Sequence, residues 1–282
     1  TGEGINPEAL KKIGAYLGSM GRDPDNIGAF IRSMDPKDLK SPRWDDKLHE
    51  WWINALVSKS HGLNILSNME QYGLQPVKRL VAAGVDLPLS LIRGGKREVY
   101  ASEVPELIKF SGLGQGLKNG WEYMKTGVYQ GPTKTGKNIF PEALQGPAGA
   151  IKYIGTRPLG AVDEVFSMLH HTGETRAQVV RQALQEGLRG PALEKRVADL
   201  LVKPSKRTGQ AAIRAAERGT FTDETWLSQM AGRHVKGRVG RWIAPFTRVG
   251  SSIITQAVEL SPVGFGTVAA QRAFGRETGR TL

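Results

Sequence analysis

Residues 131–138 read GPTKTGKN. Gly131, Gly136 and Lys137 fall at the spacings of a phosphate-binding loop, written G-x-x-x-x-G-K-[ST]. Such a loop works because a buried strand delivers the turn to a helix N-terminus. Backbone N–H groups then cradle the phosphates, the lysine reaches their outer oxygens, and a hydroxyl holds magnesium. Here Asn138 stands where the hydroxyl belongs, Glu122–Gln130 reads as the end of a helix, and Pro141 arrives before a long helix could begin. No apolar run ending in aspartate supplies a second metal-binding strand. The stretch is a basic turn in which Lys134 and Lys137 add exposed charge.

The remaining chemistry-bearing residues are scattered. His170 and His171 are adjacent, so on a helix their side chains diverge by about 100° and do not chelate one ion. His49, His61 and His234 are isolated, and Glu50 after His49 is not part of an H-E-x-x-H pattern. Asp163 and Glu164 are neighbours that diverge on a helix in the same way, which does not suit paired-carboxylate chemistry. No G-x-S-x-G nucleophile motif is present. No catalytic residue, metal ligand or cofactor is assigned, and any catalytic activity is expected in another domain of a longer polypeptide.

The elements that would position these residues are helical. Asn6-Pro7-Glu8 places a cap, a first-turn proline and an acid to open a helix to about Gly18. Ser41-Pro42 repeats the device. After it, Trp44, Leu48, Trp51, Trp52, Ala55 and Leu56 recur at helical spacing, with the tryptophans as core or interface anchors. Ser102-Glu103 opens a helix to about Lys125 that carries Gly112, Gly116 and Gly120 at every fourth position. Two readings of those glycines stay open: a face that admits another helix very closely, or a break in the helix at one of them. A glycine- and proline-punctuated loop covers 126–150. Further helices are predicted at about 158–170, 174–187, 191–202, 206–218 and 249–260, with Gly187 and Gly219 as helix-ending residues.

No stretch alternates as a half-buried strand would, although Lys96–Tyr100 could form a short extended piece. The fold class is all-α: an extended multi-helix assembly with long Gly/Pro-rich connectors and no substantial sheet. The expected segments are 1–40, 41–127, 128–150 as connector, 151–220, and a basic C-terminal segment 221–282.

Composition narrows the partners. The 282 residues include 35 glycines and no cysteine, which removes disulfides and thiolate metal sites. The apolar fraction of 39% is modest, the mean hydropathy is −0.32, and no run approaches the roughly 20 apolar residues of a membrane span. The chain opens at Thr1 without a methionine or signal pattern, as a processed product or a piece of something longer would. The formal charge is +12, which favours nucleic acid, anionic membrane or acidic protein as partner.

The cations concentrate late. Lys203, Lys206, Arg207, Arg233, Lys236, Arg238, Arg241 and Arg248 stand with Trp242 and Phe246. Arginine with aromatics can track phosphates and stack on bases. The same set suits an anionic lipid surface, or a merely solvated basic face.

Three blocks in order carry a resemblance. Trp52-Ile53-Asn54-Ala55-Leu56-Val57-Ser58-Lys59-Ser60-His61, with Asn64 and Ser67-Asn68, is similar to a recurring W-I-N-x-L-x-S-x-x-[TS]-H-x-x-N-x-x-S-N stretch. Arg157-Pro158-Leu159-Gly160-Ala161-Val162-Asp163-Glu164-Val165-Phe166, followed by Gly173-Glu174, resembles a second block. Thr220-Phe221-Thr222, then Arg241-Trp242-Ile243-Ala244-Pro245-Phe246-Thr247-Arg248 and Glu259-Leu260-Ser261-Pro262, resembles a third. Together they look like the large internal virion, or ejection, proteins of tailed bacteriophages, sometimes called large polyvalent proteins. In the third block, Val249 and Ser252 replace the threonine and asparagine of the usual pattern.

The resemblance spans roughly residues 50–262 and implies a structural segment packaged in the virion. After ejection it would lie in the host cell envelope and help form a conduit for the genome. Its implied partners are other copies of itself, other virion proteins, phage DNA, and membrane through regions outside this segment. The alternative is a non-specific nucleic-acid-binding helical protein of the host cytoplasm.

Overall fold

The computed structural model describes residues 14, 44–58, 61–92, 94–95, 97–132, 144 and 146–220. Among them there are seven α-helices and no strand. In chain order these are α1 (Trp44–Val57), α2 (His61–Ile92), α3 (Val104–Ile108), α4 (Leu113–Thr126), α5 (Thr156–Gln185), α6 (Gly190–Val202) and α7 (Lys206–Gly219). Two 3₁₀ segments, Ala101–Glu103 and Gly146–Tyr153, precede α3 and α5. The all-α class holds, and Arg97–Tyr100 is irregular backbone. The helices expected at 6–18 and 249–260 lie outside the described residues, apart from helical Gly14.

The chain divides into two compact units. Unit 1 draws on Thr1–Tyr72 and Lys109–Gly173, and unit 2 on Gly73–Ile108 and Glu174–Leu282. The helices α2 and α5 each contribute to both.

Several boundaries depart from the sequence expectation, each for a physical reason. The helix expected from Ser102 to Lys125 is two helices. Gly112 is the N-cap of α4, and Leu113 N–H donates to the Phe110 carbonyl at 3.0 Å in the turn before it. In contrast, α5 is one helix where two were expected. Gly173 keeps helical geometry and is buried, so it does not supply the left-handed residue that ends a helix. That residue is Gly187, with φ of 80°. Its N–H donates to the Leu184 carbonyl, and the Leu188 N–H donates to that of Ala183. Gly219 remains inside α7, where Thr220 caps instead by donating its hydroxyl to the Ala216 carbonyl at 2.9 Å.

The 32-residue α2 had no expected counterpart, because Pro76 and Pro88 lie inside it. Each removes a backbone donor, at a cost of about 3 kcal/mol in a helix interior. Tertiary contacts along the inward side of α2 must exceed that. This side is largely polar: Asn68, Asp86 and Ser90 are buried there along with Tyr72, Ala82 and Ala83.

Both cores are small. In unit 1 the buried apolar side chains include Val57, Tyr72, Val128, Leu144 and Leu169. In unit 2 they are mostly alanine and valine, and α7 contributes Thr208, Ala212, Ala216 and Gly219 as one narrow stripe. Ser205 starts that helix by accepting the Thr208 N–H at 3.1 Å.

Candidate functional site

Unit 1 holds a polar seam in which side chains from α1, α2 and α4 meet the start of α5. Asn54 supplies its upper end. Its amide N donates to the Glu50 carbonyl at 2.8 Å, which orients the side chain. Its Oδ1 then accepts the Thr156 N–H at 2.9 Å and the Thr156 hydroxyl at 3.0 Å. Thr156 is the first residue of α5, so a fully buried asparagine from a distant helix does the work of an N-cap. His61, at the start of α2, donates Nε2–H to the Ile154 carbonyl at 2.7 Å just before α5 begins. Glu50 accepts the Leu144 N–H at 3.0 Å.

One and two turns further along α2, the amides of Asn64 and Asn68 both donate to Asp163 Oδ1 at 3.2 Å. Among the described residues, no cation pairs with this carboxylate. Burial pushes its pKa up to about 6, and the two amide hydrogen bonds hold it back only in part. Burial also raises the Glu164 pKa, against the pull of the Gly131 and Gln130 amides and of Asn119. Glu164 Oε1 accepts the Gln130 N–H at 2.7 Å and the Gly131 N–H at 3.1 Å. The first glycine of the GPTKTGKN stretch therefore gives its N–H to a carboxylate of its own chain. Residues 133–138 lie outside the described set.

Two further contacts lock α4 onto α5. Arg157 Nη1 donates to the Tyr123 carbonyl at 2.7 Å and the Met124 carbonyl at 3.1 Å, satisfying the open end of α4. Its guanidinium also lies 5.9 Å from the Tyr123 ring centre and 5.7 Å from that of Tyr153. The helices approach through glycine. A Cβ on Gly116 would lie 3.0 Å from Val165 Cα, and one on Gly120 would lie 2.7 Å from the Ala161 carbonyl oxygen. Gly112 is equally close to the backbone at Met168. Both readings of the glycine series apply at once: Gly112 interrupts the helix, and all three admit α5.

The tryptophans are placed differently from a core expectation. Trp44 is 73% exposed and Trp51 is 51% exposed, while Asn54, one turn on from Trp51, is buried. Trp52 is half-buried, with its ring 6.4 Å from that of His49. The reason lies in α1's inward partners, which are backbone polar groups that an indole could not cap.

Lys203, Lys206 and Arg207 are exposed around the α6–α7 junction. Arg233, Lys236, Arg238, Arg241, Trp242 and Arg248 lie outside the described residues.

No protein-family model, curated protein or solved structure matches the chain. Among the described residues, no group of three or more His, Asp or Glu gathers to hold a metal, and no helix is long and apolar enough to cross a membrane. The seam's own chemistry is clear from its partners: it caps helix ends and fixes the register of α5 against α2 and α4. Sequence reasoning missed Asn64, Asn68 and Asp163 as one cluster. The available signal was that all three sit in two blocks quoted for the same resemblance.

Proposed function

We propose that this chain is a structural segment of an internal virion protein of a tailed bacteriophage. It travels with the genome and, after ejection, helps form a conduit for DNA across the host cell envelope. The observation that carries this reading is the seam. The first two blocks behind the resemblance, separated by about a hundred residues, meet residue against residue: Asn54 with Thr156, and Asn64 and Asn68 with Asp163. A pattern that maps onto one built interface is more than scattered identities. The polar residues of those blocks are engaged in capping and register, which suits a structural part.

Partners follow from what faces outward. Exposed Trp44 and Trp51 on α1 offer anchors for other virion proteins, and the positive charge offsets packaged DNA. Mass spectrometry of purified particles tests the assignment. The chain should be present in intact virions and lost from them on triggered ejection; absence from intact particles overturns it.

The exposed trio Lys203, Lys206 and Arg207 favours a second reading, a non-specific nucleic-acid binder of the host cytoplasm. Under that reading, DNA affinity falls steeply with salt and collapses when the trio, or Arg238, Arg241 and Arg248, becomes alanine. An unchanged affinity in both triple variants rejects it.

A further inference from the structure

Within unit 2, the outward face of α2 is the reverse of an ordinary surface helix. Val77, Leu80, Val81, Val85, Leu91 and Ile92 are each between 47% and 84% exposed. None of the exposed positions from 73 to 92 carries a charge. The polar side chains turn inward instead. Arg79 pairs with Glu103 and Glu174, and Asp86 accepts the N–H groups of Glu98 and Val99.

Three observations point to what covers this face. The exposed residues repeat at an interval of eleven: Gly73 and Gly84, Leu80 and Leu91, Val81 and Ile92. At 3.67 residues per turn, that interval keeps a stripe aligned along a nearly straight helix. The two glycines form notches in it. Nothing lies within 4 Å of the place where a Cβ would stand on either one. A mid-helix glycine costs about 1 kcal/mol against alanine, and here no contact among the described residues offsets it, in contrast to Gly116 and Gly120.

Continuity and charge narrow the occupant further. The exposed apolar side chains form one contiguous stripe rather than the scattered single residues usual on a monomer surface, which marks an interaction surface. A helix lying on a membrane carries lysine and arginine beside its apolar face. Between 73 and 92 there are two such residues, Lys78, which is half-buried, and Arg79, which is held inside.

We propose that this face is where two copies of the chain meet, α2 against α2, antiparallel about a two-fold axis near Leu80 and Val81. In that arrangement Val77 of each copy fills the notch at Gly84 of the other, and the helix dipoles oppose. The inference goes beyond the virion reading and stands without it.

The test uses the full chain in solution. Light scattering after size exclusion should give twice the 30.7 kDa of one chain. Leu80→Glu should weaken dimerisation by at least about tenfold while helical circular dichroism is kept. Because the chain has no cysteine, Leu80→Cys gives an independent and nearly isosteric measurement. Mild oxidation should cross-link it into a covalent dimer, whereas Leu91→Cys, and Ala198→Cys on α6, should stay uncross-linked. Leu80→Cys decides the matter if Leu80→Glu fails to fold.

A single-chain mass for the unaltered protein overturns the proposal, and so does equal cross-linking at position 198. Cross-linking through Leu91→Cys overturns the antiparallel arrangement. Flotation with phosphatidylcholine vesicles that is lost in Leu80→Glu assigns the stripe to lipid and overturns it as well.

Discussion

The two units solve one problem in opposite ways. Each encloses carboxylates against the inner face of α2 and α5, yet among the described residues the buried carboxylates that meet counter-charge are those of unit 2. Glu103, with no exposed surface, takes a two-pronged grip from Arg181 at 2.8 and 2.7 Å, and Arg79 lies 3.5 Å from the same side chain. Burial opposes the Arg181 charge. The hydrogen bonds to Glu103 and the fields of Glu103, Glu174 and Asp86 outweigh it, so the Arg181 pKa is raised. In unit 1, the partners of Asp163 among the described residues are neutral amides. A charged network resists removal of any member, whereas an amide-bound carboxylate stays close to the point where it takes a proton.

The largest expected effect comes from breaking the charged network. Glu103→Gln leaves two arginines facing a neutral group and should lower stability by about 4 kcal/mol, as for other buried pairs that lose one partner. Urea denaturation followed by circular dichroism measures it, and a loss below that of a surface substitution would remove the contrast.

Next is Asp163. Its folded pKa of about 6 stands above the ordinary aspartate value of 3.8, so the folded state binds the extra proton in that window. The favourable contribution is complete below the unfolded pKa and disappears as pH rises through about 6, leaving a cost of about 3 kcal/mol at neutral pH. Asp163→Asn should therefore stabilise the protein at pH 8 and have little effect near pH 4. Parallel melting curves for the two proteins at pH 4 and pH 8 would show the gap close, and a constant gap contradicts the assignment.

A smaller effect separates tight glycines from open ones. Gly120→Ala should cost about 2 kcal/mol, because its new methyl meets the Ala161 carbonyl. Gly209→Ala in α7, where nothing lies within 4 Å, should gain up to about 1 kcal/mol. The smallest change is Arg196→Gln. Its bonds to Glu186 are exposed, and no shift in melting temperature is expected.

What the sequence disclosed followed local rules. The helix starts expected near 191 and 206 are real, and so is the end at Gly187, because caps and turn residues act within one turn of their own position. The divergence of Asp163 and Glu164 was also legible, and the two do reach different partners. The long α2 was not legible, since Pro76 and Pro88 argue locally against a helix that tertiary contacts sustain. Nor was the direction of α1. Its periodicity located an apolar side, but periodicity does not say which side turns inward, and Trp44 and Trp51 face out. The seam was invisible for a related reason: a hydrogen bond from Asn68 to Asp163 spans 95 positions and leaves no local signature.

The cap that Asn54 provides has a consequence in time. Its acceptor oxygen serves a backbone N–H that lies 102 positions later in the chain. At about 5–20 residues per second, a ribosome needs roughly 5–20 seconds to reach Thr156 after making Asn54. During that interval α1 has no helix to cap, and its polar side must stay in water or with a chaperone. Unit 1 cannot close until α5 begins to emerge, so the order of synthesis sets the order of assembly.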